Sequence, residues 1–86
     1  MLWKNKSLQS CSAIYNILSK IENVGLTLPD NKSADDLLSL SSKKLLDYGQ
    51  QVYDDTVLWN SHGTIIGLEN SNSLRMELLY VLTKSR

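Results

Sequence analysis

The sequence predicts an all-α protein that folds as an antiparallel four-helix bundle. Apolar residues recur at helical spacing over most of the chain, runs of cap-forming residues separate these segments, and the connections between them are short. The 86 residues are predicted to form a single domain, residues 1–86, because a chain of this length supports only one hydrophobic core. An apolar content of 42% is sufficient for that core.

The first helix is predicted to run from about Leu8 to Val24. At about 100° per residue, one broad side of this segment is apolar, and its members are Leu8, Cys11, Ile14, Tyr15, Ile17, Leu18, Ile21 and Val24. Gly25 followed by Leu26 fits a glycine C-cap with its apolar contact. The position of Cys11 on the apolar side predicts a buried, inert thiol.

The second helix is predicted to begin at Ser33, in the sequence SADD. Ser33 is placed to accept a hydrogen bond from the amide of Asp36, as in a capping box. Asp35 and Asp36 also suit the positive end of the helix dipole. The following SLSSKK predicts a kink or short turn near residues 41–43, with the two lysines favouring the C-terminus of this helix.

The third helix is predicted to reach about Asn60 and to end at His62-Gly63, with His62 capping the helix dipole; residues 34–60 form either one helix or two. One half of its wheel carries Leu45, Leu46, Tyr48, Gly49, Val52, Tyr53, Thr56, Val57 and Trp59, and the other half carries Asp47, Gln51, Asp54, Asp55 and Leu58. Gly49 inside a helix costs ~1 kcal/mol relative to alanine. We therefore expect close approach of a neighbouring helix there, with Tyr15 or Tyr80 above the glycine.

The last helix is predicted to start after ENSNS and to run from Leu74 to about Lys84. Its inner stripe is formed by Leu74, Leu78, Val81 and Leu82, while Met76 and Tyr80 lie on the outward side. The preceding TIIGL, residues 64–68, is β-branched and lies between glycines. A short strand-like segment is therefore an alternative at 64–68.

The composition argues against several functional classes. Nine basic and nine acidic residues balance, whereas nucleic-acid-binding proteins usually carry a basic surplus. One cysteine and one histidine lie in different segments, without metal-ligand spacing or a phosphate-binding glycine loop, so we predict no catalytic, cofactor or metal site and no enzyme. No apolar run reaches membrane-spanning length, and a single cysteine favours a reducing cytoplasm.

The polar half of the third helix is the candidate partner-binding surface. Asp47, Gln51, Asp54 and Asp55 surround Leu58 on that half of the wheel. A leucine ringed by acids is typical of a patch that binds a basic protein, because charge complementarity orients the partner while the apolar centre is buried. The alternative is an ordinary solvated helix face.

Two stretches make the second half of the chain resemble small bacterial toxin-immunity proteins, of the colicin D type and of contact-dependent inhibition systems. They are LDYGQQVY, residues 46–53, and NSLRMELLYVLTK, residues 72–84. The resemblance implies a helical bundle whose acidic surface occupies the active cleft of a tRNA-cleaving nuclease in place of RNA phosphate. At matching positions it nominates Asp47, Asp54, Asp55 and Glu69. Such inhibitors are commonly acidic, so this neutral chain would need its negative charge concentrated on one face.

These observations predict a small cytoplasmic immunity protein that neutralises a basic nuclease toxin by direct contact and that uses no cofactor. One alternative is a phage or plasmid regulatory or accessory DNA-binding protein, which needs Lys32, Lys43 and Lys44 to converge. A second alternative is a structural module that forms homo-oligomers through Met76, Tyr80 or the uncharged face of the first helix.

Overall fold

The computed structural model describes the backbone of residues 8–84 and the side chains of residues 11–84, and all the regular secondary structure in this part of the chain is helical. In it, five α-helices follow one another: α1 (Leu8–Asn23), α2 (Ala34–Leu37), α3 (Ser42–Tyr53), α4 (Thr56–Ile66) and α5 (Leu68–Lys84). A 3₁₀ turn (Pro29–Asn31) lies between α1 and α2. The all-α prediction is confirmed, and the strand-like alternative at 64–68 is wrong because α4 and α5 contain these residues on either side of Gly67.

Helix α1 ends at the predicted glycine. Gly25 has a φ of +97°, a left-handed conformation that glycine adopts without a Cβ penalty, and its amide donates to the carbonyl of Glu22 at 2.9 Å. The apolar side of the helix is buried, with Cys11, Ile14, Ile17, Leu18 and Ile21 at 0–1% exposure. The buried position predicted for the Cys11 thiol is confirmed, while the side chain of Leu8 lies outside the described residues.

Ser33 caps α2 with the predicted capping box. Its Oγ accepts from the amide of Asp36 at 3.3 Å, and Oδ2 of Asp36 accepts from the amide of Ser33 at 2.9 Å. A second serine cap then begins α3, where Oγ of Ser41 accepts from the amide of Lys44 at 3.3 Å. The predicted break is present but lies at residues 38–41 instead of 41–43, and Lys43 and Lys44 lie in the first turn of α3 instead of the last turn of α2.

The single helix predicted to reach Asn60 is two helices, because Asp55 starts a new one. Asp55 has non-helical φ and ψ of −83° and 88°, and its Oδ1 accepts from the amide of Leu58 at 3.0 Å. Across the break, Nε1 of Trp59 donates to the carbonyl of Val52 at 2.9 Å. This bond satisfies a carbonyl in the last turn of α3 and fixes the corner between the two helices.

Helix α4 continues past His62, and α5 begins at Leu68 instead of the predicted Leu74. Gly67, with a φ of +95°, allows the chain to turn between the two helices without a longer connection. The polar run ENSNS lies inside α5, where Nδ2 of Asn70 donates to the carbonyl of Ile66 at 2.9 Å. These polar side chains therefore serve the end of α4 and contacts between helices, and they do not mark the start of α5.

Helices α1, α3 and α5 contact one another pairwise, and α4 packs along α5. Gly49 lies where the first three meet, since a Cβ added there would be 3.2 Å from Cδ2 of Leu82 and 3.4 Å from Cγ2 of Ile14. The predicted close approach is confirmed, but the neighbours are these aliphatic side chains and not Tyr15 or Tyr80. The described residues form five helices instead of the predicted four, because the third predicted helix is divided at Asp55. The antiparallel bundle arrangement stays a prediction.

Candidate functional site

Asp47, Gln51 and Asp54 lie in one exposed row on the outer face of α3. Their spacing of four and three residues places them on successive turns of the same helix face. Asp54 is the C-cap residue of α3, and its Oδ1 accepts from Nε2 of Gln50 at 3.2 Å. We call these three residues the α3 row. The structure thus brings half of the predicted partner-binding residues together on one surface.

Asp55 extends the negative charge of the α3 row to the corner between α3 and α4. Its side chain is half-buried, and one carboxylate oxygen holds the amide of Leu58 as the N-cap of α4. A carboxylate at this position also suits the positive end of the α4 dipole. Asp55 therefore has a structural role in addition to its charge.

Leu58 does not belong to this surface, and the prediction of an exposed leucine among acids is wrong. It is 6% exposed and lies in the hydrophobic core. The prediction placed Leu58 on one continuous helix with Asp54 and Asp55, but these two residues separate α3 from α4. Because α4 starts in a new direction, Leu58 and Trp59 face the core, while Val57, predicted to face inward, is 73% exposed.

Glu69 lies on a different helix from the α3 row. It is exposed in the first turn of α5, where a carboxylate is stabilised by the helix dipole. Its nearest neighbour in the chain, Leu68, is also exposed. Glu69 is therefore part of the outer face of α5.

The outer face of α3 also carries two lysines. Lys43 and Lys44 are exposed and lie four and three residues before Asp47, which makes them its neighbours one turn away. The face is consequently basic at its N-terminal end and acidic at its C-terminal end. Two carboxylates, those of Asp54 and Asp55, lie at the corner of α3 and α4.

Arg75 of α5 binds the backbone at the end of α3, on the inner side of this corner. Its Nε and Nη2 both donate to the carbonyl of Tyr53, at 3.1 and 2.9 Å, and its guanidinium lies 4.8 Å from the centre of the Tyr53 ring. The guanidinium is also 5.9 Å from the centre of the Trp59 ring. A cation is favourable here because the C-terminus of α3 carries unpaired carbonyls. No local pattern in the sequence links Arg75 to Tyr53, and sequence reasoning missed this contact.

A second group of acidic side chains surrounds Tyr48, and the sequence analysis did not find it. The Tyr48 hydroxyl donates to the carbonyl of Pro29 at 2.6 Å. Burial raises the pKa of the Tyr48 phenol far above its usual range, and the negative charges of Asp30, Asp36 and Glu22 raise this pKa further. These groups come from three separate parts of the chain, so no spacing in the sequence indicates that they meet.

A buried polar contact joins α4 to α5. Nδ1 of His62 lies 3.2 Å from Oγ of Ser71, and this Oγ donates to the carbonyl of Trp59 at 3.2 Å. Nε2 of His62 has no hydrogen-bond partner in the described part of the chain. Burial lowers the pKa of His62, which favours the neutral ring.

The predicted role of His62 as a helix cap is wrong. His62 lies within α4 instead of at its end, and the side chain is fully buried. Its hydrogen bond to Ser71 spans two helices and was not expected from the sequence. The serine is 1% exposed, so the pair connects helices in the interior and does not present a hydroxyl to solvent.

The remaining observations concern metals, membranes and known proteins. Among the described residues, no group of three or more His, Cys, Asp or Glu side chains is arranged to hold a metal ion. Within residues 8–84, no helix combines the length and the apolar character needed to cross a membrane. A scan against models of protein families and searches of curated proteins and of solved structures return no match. The resemblance to immunity proteins stays a hypothesis that rests on residues 46–53 and 72–84 alone.

Proposed function

We propose that this chain is a small inhibitor that binds a basic protein, as an immunity protein does when it neutralises a bacterial nuclease toxin. The observation that carries the proposal is the α3 row, which ends at Asp54 beside Asp55. Carboxylates at regular spacing on one helix complement a cleft of lysine and arginine side chains, where they take the place of nucleic-acid phosphates.

The acidic corner is held in place before any partner binds, which supports a binding role. Asp54 accepts from Gln50, Asp55 caps α4, and Arg75 binds the carbonyl of Tyr53 just before the corner. Because these bonds already fix the backbone at the corner, little conformational entropy remains to be lost on association. Asp47 and Asp54 are separated by about 10 Å along the helix axis, so the complementary positive charges need to span a similar length.

The neighbours of the two lysines favour a protein over DNA as the partner. Lys43 and Lys44 are exposed in the first turn of α3, but Asp47 follows one turn later on the same face. A DNA backbone that approached the lysines would meet this carboxylate and then Asp54, and both repel phosphate. A basic protein is attracted to the acidic end of the same face.

The experiment compares tagged wild-type protein with two charge-matched double variants. Asp47→Asn/Asp54→Asn neutralises the α3 row, and Asp30→Asn/Asp35→Asn removes the same charge from exposed residues outside it. Proteins captured from the source cells are identified at low and high salt. The recovered partner is then purified, and its binding and nuclease inhibition are titrated with each variant.

We expect wild type and the Asp30/Asp35 variant to bind and inhibit one basic nuclease. The Asp47/Asp54 variant should bind at least about tenfold more weakly, a loss of roughly 1.4 kcal/mol. Equal inhibition by both double variants would show that the α3 row is not the contact surface. Failure to recover a basic protein even at low salt would refute the proposed function.

A further inference from the structure

The exposed apolar side chains of this protein are concentrated on two helices. Among the described residues, the large apolar side chains that remain exposed all belong to α4 and α5, with exposures between 52% and 73%: Val57, Ile65, Leu68, Met76 and Tyr80. Leu68, Met76 and Tyr80 lie eight and four residues apart on α5, within about a third of its circumference. We call these three residues the α5 strip.

The α5 strip is distinct from the side of α5 that faces the core. Leu78 and Leu82 are 0% and 1% exposed and bury the inner side, so the apolar surface of α5 extends beyond its core-facing side onto the exposed face. A helix at the surface of a monomer normally has one apolar stripe and a polar outer face. Exposed apolar side chains that extend beyond this stripe, here interrupted by Asn72 between Leu68 and Met76, are a feature of surfaces that another molecule covers.

The charges along the same face have opposite signs at its two ends. Glu69 lies in the first turn of α5, and Lys84 lies in the last turn. The Lys84 ammonium is 5.6 Å from the centre of the Tyr80 ring, which places its charge at the strip itself. Two such helices packed in opposite directions match acid to base at both ends, so the face is complementary to itself.

We propose that a second copy of this chain covers the α5 strip, with the two α5 helices antiparallel about a two-fold axis near Met76. In this arrangement Glu69 of each copy lies beside Lys84 of the other. The two Met76 side chains meet near the axis, where a flexible thioether fills an uneven gap. Tyr80 lies over Ser73 of the other copy, and the small serine leaves room for the ring.

Glu77 separates self-association from binding of a basic protein to the same strip. It follows Met76 and lies near the proposed axis, so the two Glu77 carboxylates of a dimer are on the same side of the interface and repel each other. Replacement by glutamine should therefore tighten a dimer, whereas it should weaken a complex with a basic protein. The inference does not depend on the proposed function, because the α3 row lies on another helix.

The first test is sedimentation equilibrium of the full chain over a wide concentration range. We expect a reversible monomer–dimer equilibrium for wild type and at least about a tenfold larger dissociation constant for Met76→Glu, because a charge would be buried at the axis. Val57→Glu adds the same charge at an exposed apolar position of α4 and should leave the equilibrium unchanged. Circular dichroism of each variant confirms that the helices are intact.

The second test exchanges the charges at the ends of α5. Glu69→Lys and Lys84→Glu should each weaken the dimer several-fold, and the double variant should restore it to near wild type, since the pairs are re-formed with reversed sign. A wild-type monomer at every concentration would overturn the proposal, as would equal dissociation by Met76→Glu and Val57→Glu. Failure of the double exchange to restore the dimer would overturn the antiparallel arrangement.

Discussion

Acidification from about pH 7 to about pH 5 should destabilise the fold through His62. This side chain is 0% exposed, and burial lowers its pKa from the ordinary value of 6.5. Nδ1 already contacts Ser71, while Nε2 has no partner in the described part of the chain. A doubly protonated ring would therefore place a charge in the interior and leave the Nε2 proton without an acceptor.

The sign of the effect follows from which state binds the proton first. Below about pH 6.5 the unfolded chain takes up a proton on His62, whereas the folded protein keeps the neutral ring to lower pH. The stabilising contribution is thus fully present above pH 6.5 and is lost as the pH falls toward the lower pKa of the folded state. The slope reaches at most about 1.4 kcal/mol per pH unit, where the unfolded chain binds one proton more than the folded protein. A chain of this length has a total stability of roughly 4–13 kcal/mol.

The charged groups near the His62–Ser71 contact leave the pH dependence that His62 gives to the free energy of unfolding measurable. Arg75 lies one turn beyond Ser71 on α5, and Asp55 lies at the start of α4. The cap hydrogen bonds of Ser33 lower the pKa of Asp36 below 3.8. The contribution of Asp36 is therefore lost only at still lower pH, below the interval in which His62 is expected to act.

Urea unfolding followed by circular dichroism at several pH values measures the effect. His62→Gln retains a donor for Ser71 and does not titrate, so its free energy of unfolding should be flat between pH 5 and 7. The same pH dependence in wild type and His62→Gln would refute the reasoning. An NMR titration of the wild-type ring gives an independent test, and a His62 pKa above 6.5 would contradict it as well.

Three further substitutions test the packing and the helix caps. Gly49→Val should lower the free energy of unfolding by about 1–3 kcal/mol, because the larger side chain overpacks against Leu82 and Ile14. Gly49→Ala should lower it less, because the higher helix propensity of alanine offsets ~1 kcal/mol of the overpacking. Unchanged denaturant midpoints for both would contradict the close contact. Asp55→Ala should lower the free energy of unfolding by about 1 kcal/mol because α4 loses its N-cap, whereas Asp55→Asn should keep most of the stability that the cap provides. Ser33→Ala should cost a similar amount in thermal unfolding, while Ser33→Asp stays near wild type.

Features that depend on residues a few positions apart were predictable from the sequence. The apolar side of α1 and its glycine end, the capping box at Ser33 and the inner position of Leu78 and Leu82 are all as predicted. The spacing of the α3 row is of the same kind, because residues on successive turns of one helix face the same side. Helical periodicity and caps act within about one turn, so the sequence carries them directly.

The break at Asp55 was not predictable because two local structures compete closely there. Aspartate at this position either continues a helix or caps a new one, and a cap contributes only about 1 kcal/mol. Contacts between elements favour the cap: Trp59 donates to the carbonyl of Val52, and Arg75 binds that of Tyr53. The break then reverses the orientation predicted for Leu58, which lies in the core.

The sequence by itself determined that the chain is helical, where several helices begin or end, and which residues of α3 share an outward row. Only the tertiary structure decided that α4 is a separate helix, that His62 is buried against Ser71, and that Glu69 belongs to the α5 face. The physical reason is the distance along the sequence over which the determining interactions act. Periodicity and caps are set by neighbours along the chain, whereas burial and the direction of each helix depend on contacts between residues far apart in sequence.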